Sequence, residues 1–179
     1  LNKLEKKLTN FSTIQFSKEK SILAITYFLE MPNDNVLVGT ESGIKIFNIN
    51  DLSSTDFDKY YDIDDDVFDS LYIYSFYYDD KDSSLWVGTR NDGFYKYDFE
   101  KKTIIDVADY YKINNLKYAV VREMMRDKDD NFWVATNIGL CCINLKTEEV
   151  KFDRNDKNDL SSIPNDDIYD LISADTVIY

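Results

Sequence analysis

Two acidic clusters are the first places where this sequence could do chemistry. Asp62-Ile63-Asp64-Asp65-Asp66 and Asp127-Lys128-Asp129-Asp130-Asn131 both open with the alternating carboxylates of a calcium loop. An EF-hand loop closes on a glutamate at its twelfth position. Ile73 and Ile138 stand there, so that motif fails. The second cluster reads as a solvated hairpin turn; the first lies in a longer connection, where adventitious cation binding is the only metal chemistry left open. Cys141 and Cys142 are the only cysteines. Neighbours on a strand point to opposite faces, so small buried residues are expected in preference to a disulfide framework or a vicinal redox pair. Histidine is absent, which removes the commonest general base and the usual Cys/His zinc patterns. No catalytic residue, metal site or cofactor is expected.

Aromatic and charged side chains carry the remaining options. The chain has 179 residues, 15% of them aromatic, with 14 Tyr and 11 Phe, types that favour half-buried strands. Its net charge of −13 comes with no basic run longer than Lys6-Lys7 or Lys101-Lys102, so a phosphate backbone would be repelled and nucleic acid is not an expected partner. Apolar stretches such as Ile22-Leu23-Ala24-Ile25 are far too short to span a bilayer.

These residues are placed by an internal repeat. NVLVGTESGIKIFN from Asn35, SLWVGTRNDGFYKYD from Ser84 and NFWVATNIGLCCIN from Asn131 align on Leu37, Trp86 and Trp133, at spacings of 49 and 47 residues. A fourth slot falls on Ile178, 45 further on. Such a period holds four short strands and their turns, one β-propeller blade. Strand A is expected over Ile22 to Leu29, Tyr72 to Tyr78, Ala119 to Arg126 and Asp167 to Ser173, each ending at a polar turn such as Pro32-Asn33-Asp34-Asn35. Strand B carries the Trp slot. A turn at Gly43, Gly93 or Gly139 leads to strand C, over Ile44 to Asn48, Phe94 to Asp98 and Leu140 to Asn144. An outer strand D follows, for example Val150 to Arg154.

The expected architecture is therefore an all-β fragment of a propeller, built of four-stranded antiparallel blades. Residues 21–69, 70–117 and 118–165 make three full blades. Residues 1–20 supply the outer strands of a preceding blade, and 166–179 begin the next. An excerpt from a propeller of about seven blades is favoured over a four-bladed ring closed by its split halves. Trp86 and Trp133 are expected to pack between blades, with stacking on a sugar ring the alternative. The run Tyr72 to Tyr78 reads as core.

Propellers bind partners on the edge that carries the B-to-C turns and the D-to-A connections. Glu41, Arg90 and Asn137 are the first polar residues after each strand-B threonine, and their chemistry changes from blade to blade, which suits an asymmetric ligand. Asp92 and Arg122 could join them; a merely solvated turn is the competing reading.

The acidic turn followed by LWVGTRNDGFYKYD or FWVATNIGLCCINLKTEEV resembles the two-component regulator propeller repeat. The match extends over nearly the whole chain and is best from Val121 to Leu171, where VREMMRDKDDNFWVATNIGL and NDLSSIPNDDIYDL both fit. Ala135 in place of the strand glycine, Leu37 in place of Trp and the single glycine of Glu41-Ser42-Gly43 depart from it. The resemblance implies an extracytoplasmic sensor region, of two seven-bladed propellers and a β-sandwich, anchored in the membrane ahead of a histidine kinase. Members commonly detect carbohydrate breakdown products. The expected function is thus non-catalytic sensing of a carbohydrate or other small ligand in a bacterial receptor. A scaffold or protein-interaction propeller is the alternative, and a propeller enzyme ranks third. The remaining blades of a longer propeller are expected partners, and a homodimer through exposed blade faces is a further expectation.

Overall fold

The computed structural model describes residues 24–31, 34–64, 66–174 and 177–178. The outer strands expected over 1–20, the start of the first strand A, Pro32, Asn33 and Asp65 lie outside the described residues. The chain divides into two compact units, with the boundary between Tyr72 and Ile73. In the first, β1 (Ile25–Met31), β2 (Asn35–Thr40), β3 (Gly43–Asn48) and β4 (Ser54–Asp56) form one antiparallel sheet in sequential order, followed by the helical turn α1 (Phe57–Tyr61).

The second unit holds two such sheets. β5 (Ile73–Asp79), β6 (Ser84–Thr89), β7 (Phe94–Asp98) and β8 (Thr103–Asp106) make one; β9 (Val121–Arg126), β10 (Asn131–Thr136), β11 (Gly139–Asn144) and β12 (Val150–Asp153) make the other. Between them run α2 (Val107–Tyr110) and a 3-10 turn, Asn114–Leu116. Helix α2 starts on Asp106, whose carboxylate accepts from the Asp109 backbone N–H at 3.1 Å, satisfying one orphan donor. It buries Val107 and Ala108. These helical turns are absent from the sequence-based expectation, because four or five residues are too few to show helical periodicity.

Strand limits otherwise follow the repeat to within a few residues, with one correction. Asp167 to Ser173 is not a strand: only Ser173–Ala174 pairs, with Val177–Ile178, as the hairpin β13 and β14. The residues before it are held elsewhere, Ile168 N–H by the Thr136 carbonyl at 2.9 Å and Asp167 by Arg122.

The two sheets of the second unit share one core. Trp86 on β6 is 1% exposed and stacks on Phe132 of β10, ring centroids 3.8 Å apart, with Phe94 of its own sheet at 6.3 Å. Phe94, Leu116, Val121, Met124 and Ile143 complete the cluster. The sheets come closest at their inner strands. There the Ser75 hydroxyl donates to the Val121 carbonyl at 3.1 Å, and a Cβ on Gly88 would stand 2.3 Å from Ser75 Oγ and 2.7 Å from Val121 Cγ1. Glycine at this slot lets neighbouring sheets touch.

An ionic clasp joins the same two sheets at the opposite edge. Arg126, at the end of β9, donates to Asp79 at the end of β5 at 2.6 Å and pairs with Asp130 at 2.7 Å. Asp79 is 1% and Arg126 13% exposed, so this pair is far better shielded from water than Lys81–Asp130 or Lys146–Asp130, whose lysines are largely open. Lys146 first, then Lys81 and Arg126, hold the Asp130 carboxyl well below the usual carboxylate range against the opposing pull of burial.

Two outcomes follow. Gly88→Ala should lower the unfolding free energy by about 1–3 kcal/mol, since its methyl has nowhere to go; a urea midpoint equal to wild type would refute the close approach. For Asp130, a lowered folded-state pKa means its stabilisation is complete above the unfolded value near ~3.9 and is lost as pH falls through the folded value. Urea midpoints should therefore drop as pH is lowered below about 4, and Asp130→Asn should flatten that slope.

Candidate ligand-binding edge

Each turn from the second to the third strand of a sheet is closed by a buried threonine. Thr40, Thr89 and Thr136 donate from Oγ1 to the carbonyls of Gly43, Gly93 and Gly139 at 2.9, 2.8 and 2.6 Å. The same oxygens accept from the backbone of Ser42, Asp92 and Ile138. Gly93 sits at φ +66°, and a Cβ there would lie 2.8 Å from the Leu116 carbonyl, so the turn is also pressed against the incoming connection. These turns are stiff mounts for whatever side chains they carry.

A second repeated device lies beside them. The pairing of first and second strands slips at one place in each four-stranded sheet: between Ile25 and Tyr27, between Ile73 and Ser75, and where Ala135 and Thr136 face Glu123 and Val121. The extra residues are Thr26, Tyr74 and Arg122. A bulge re-aims its extra side chain, and in the second unit two of them converge: Arg122 Nη1 donates to the Tyr74 hydroxyl at 3.3 Å.

The connection after β12 completes the group. Asp167 Oδ1 accepts from Arg122 Nη2 at 2.8 Å and from Nε at 3.2 Å. The guanidinium also lies 4.1 Å from the Tyr169 ring centroid, a cation–π contact. Arg122 is 13% exposed, Asp167 37%, and Tyr169 68%. Burial works against the Arg122 charge, but Asp167 more than offsets it and raises the guanidinium pKa above its ordinary value. The result is a half-buried cation with an open aromatic ring laid across it.

The five residues picked from sequence fare differently. Arg122 is at the centre of this group. Arg90 and Asp92 are exposed on one turn of the second unit. Asn137 is committed to the backbone: its side-chain oxygen accepts from Val120 N–H at 2.9 Å, and its own N–H donates to the Val120 carbonyl. It ties the turn to the start of β9. Glu41 is exposed in the first unit, its N–H donating to the Ala24 carbonyl. Sequence reasoning missed Tyr74, which it assigned to the core, and Asp167 and Tyr169. Tyr74 had a signal: Thr26, Tyr74 and Arg122 recur at 48-residue spacing with changing chemistry.

Trp133 differs from Trp86 in its surroundings. It is not enclosed like Trp86; its ring stays partly open, and its indole N–H donates to Asp127 Oδ2 at 2.9 Å. With Asn131, Cys142, Asn144, Glu149 and Lys151 it lines a shallow cavity of 190 Å³. Asp127 is a turn closer, accepting also from the backbone of Asp129 and Asn131 and the Asn131 side chain. Burial pushes its carboxyl up, yet these donors outweigh it and hold the pKa below the usual range. Among the described residues no group of three or more His, Cys, Asp or Glu side chains is placed to hold a metal ion, and no helix is long and apolar enough to cross a membrane.

Cys141 is enclosed in the shared core and Cys142 borders the Trp133 cavity. Burial pushes their thiols up to about 12 and about 11. Since the thiolate is the nucleophile, both should resist iodoacetamide in native protein at pH 8, by mass spectrometry, and react on unfolding in urea. Rapid native alkylation would contradict the enclosure.

No family model matches the chain, and no curated protein matches it in sequence. Its fold does recur among solved structures. The extracellular domain of the hybrid two component system BT4673 from B. thetaiotaomicron matches with a TM-score of 0.66 at 14% identity, over 85% of this chain and 19% of that one. That of BT3049 from the same organism matches at 0.59 and 20%, over 82% and 17%. YCF48 bound to D1 peptide matches at 0.55 and 10%, over 87% and 46%. The chain thus spans about a fifth of the length of the first two. Its three four-stranded sheets are blades of a β-propeller, the fold it shares with the extracellular domains of these two-component systems.

Proposed function

We propose that the chain is a non-catalytic, ligand-sensing stretch of the extracytoplasmic part of a bacterial two-component receptor, and that its ligand is a carbohydrate or another small extracellular molecule. The observation that carries this reading is the convergence of Tyr74 and Arg122 from two successive bulges, joined by Asp167 and Tyr169 from the following connection. The group sits on the edge of threonine-closed turns, with a cation and an aromatic face fixed before any ligand arrives. Fixing both in advance lowers the ordering cost of binding. The fold shared with extracellular domains of two-component systems supports the sensing role and the location outside the cytoplasm. Signalling by such a site needs no bond making: a ligand that bridges Tyr169 to a neighbouring turn biases the position of the connection carrying it.

A protein-interaction propeller is the second reading, supported by the likeness to YCF48, a protein described as bound to a peptide. A thermal-shift screen with a panel of oligosaccharides separates the two. A ligand present at 100 times its dissociation constant should add about 2.7 kcal/mol of stability, and Arg122→Ala and Tyr169→Ala should abolish the shift. Arg90→Ala and Asn137→Ala measure how far the site extends along the turns. If every sugar leaves the melting temperature unchanged, the carbohydrate reading fails; if Arg122→Ala and Tyr169→Ala bind a shifting ligand as well as wild type, the placement fails.

A further inference from the structure

We propose that the Arg122–Asp167 group selects neutral sugars over acidic ones. Adjacent hydroxyls of one sugar ring are held by the free Oδ2 of Asp167 and the unused N–H groups of Arg122, while carboxylated and sulfated sugars are turned away. This deepens the proposed sensing role and holds only if the group binds a sugar at all.

An arginine beside an open aromatic ring has the parts of an anion receptor, since the guanidinium fork grips a carboxylate or sulfate with two parallel N–H groups. Here that fork is already filled. Asp167 Oδ1 accepts from Nη2 at 2.8 Å and from Nε at 3.2 Å, so the edge that would receive an incoming anion faces a carboxylate of the chain itself. Nη1 donates to the Tyr74 hydroxyl at 3.3 Å. A guanidinium carries five N–H groups, and these three bonds leave two of them, one on Nη1 and one on Nη2. Among the described residues Asp167 Oδ2 accepts no hydrogen bond. One ion pair thus keeps both an unused acceptor and unused donors. A vicinal diol matches that arrangement: one hydroxyl gives its proton to Oδ2 while the oxygen of its neighbour takes an N–H. Both bonds are charge-assisted, and the ligand brings no net charge. Tyr169, 68% exposed, supplies an apolar wall for the C–H groups of the ring.

Asp167 does not give way easily to a competing anion, because its backbone is held independently of Arg122. Ile168 N–H donates to the Thr136 carbonyl at 2.9 Å, Asp167 N–H to Asn165 Oδ1 at 3.1 Å, and Asn155 N–H to Asp166 Oδ1 at 2.6 Å. An anion that took the fork would leave the Asp167 carboxylate unpaired beside its own charge. The surroundings add to that repulsion: Asp166 and Asp170 flank the pair, residues 158–179 hold no Lys or Arg, and the chain carries a net charge of −13.

Calorimetric titration of the full chain sets cello-, xylo-, manno- and galacto-oligosaccharides against oligogalacturonides, oligoalginates and heparin oligosaccharides. At least one neutral series should bind about tenfold more tightly than every acidic one. Its affinity should stay constant between about 0.05 and about 0.5 M NaCl, because no charged ligand is there to be screened. Asp167→Asn should invert the order: neutral binding falls about tenfold with the loss of a charge-assisted bond, and acidic sugars gain affinity because Arg122 loses its internal anion. Acidic sugars binding the wild-type chain as tightly as neutral ones would overturn the selectivity and leave the carbohydrate reading standing. Equal weakening of both classes by Asp167→Asn would also overturn it, since a purely structural aspartate acts on both alike. Should that variant fail to fold, the wild-type comparison decides alone. No binding by either class would remove this proposal together with the carbohydrate reading.

Discussion

The stacking of Trp86 on Phe132 at 3.8 Å, with a glycine beneath the inner strand to permit it, is the constraint from which the second unit follows. Two twisted four-stranded sheets come face to face only if their inner strands approach closely while their outer strands splay. Gly88 allows the first, and the helical turns with Val107, Ala108 and Leu116 fill the second. The wedge-shaped gap thus has a small residue at its narrow end, a pair of large aromatics in the middle and a helical plug at its wide end. Each lies at its own place in the repeat. The Arg126–Asp79 clasp locks one edge of the wedge, and the bulges sit at the other.

This division of labour between edges shapes the candidate site. At the clasped edge the charged groups meet one another: Arg126, Lys81 and Lys146 converge on Asp79 and Asp130. At the bulged edge the side chains re-aimed by Tyr74 and Arg122 are only partly consumed, since Tyr169 leaves most of its ring in solvent. A bulge there costs little packing, because the ladder is interrupted at the end of a strand. It is the place in the repeat where residue chemistry can vary without disturbing the wedge, and Thr26, Tyr74 and Arg122 show that variation.

Much of this was legible in the sequence. The 47- to 49-residue period gave strand C almost to the residue and placed strand B on its Trp slot, because strand B is apolar between its first residue and a closing Thr that must shut a glycine turn. The sheets' outer connections were not legible: α1 and α2 are single turns, too short for periodicity to encode, and α2 buries Val107 and Ala108 in the core that the two sheets of the second unit share. Tyr74 was hidden by its aromatic neighbours, which made an alternating strand look uniformly suited to the core. The bulge breaks that alternation, and only strand pairing reveals it. Asp167 and Tyr169 were assigned to a strand because the repeat was extended one period too regularly. Their bonds to Arg122, and that of Ile168 to Thr136, hold the segment in another path.

The fate of the two tryptophans shows why slot and environment must be separated. Periodicity identified Trp86 and Trp133 as equivalents and assigned both to packing, yet identical positions need not have identical surroundings. Trp86 has a sheet across from it and gives up its indole hydrogen bond, a loss of about 1–3 kcal/mol that only extensive apolar burial can offset. Trp133 has its indole bonded to Asp127 and part of its ring in solvent. A hydrogen bond retained at one copy of a slot and surrendered at another is what differential burial produces when the backbone is held constant. The repeat fixes where the ring stands, and whatever lies opposite decides which of its two faces, apolar plane or polar N–H, contributes to stability.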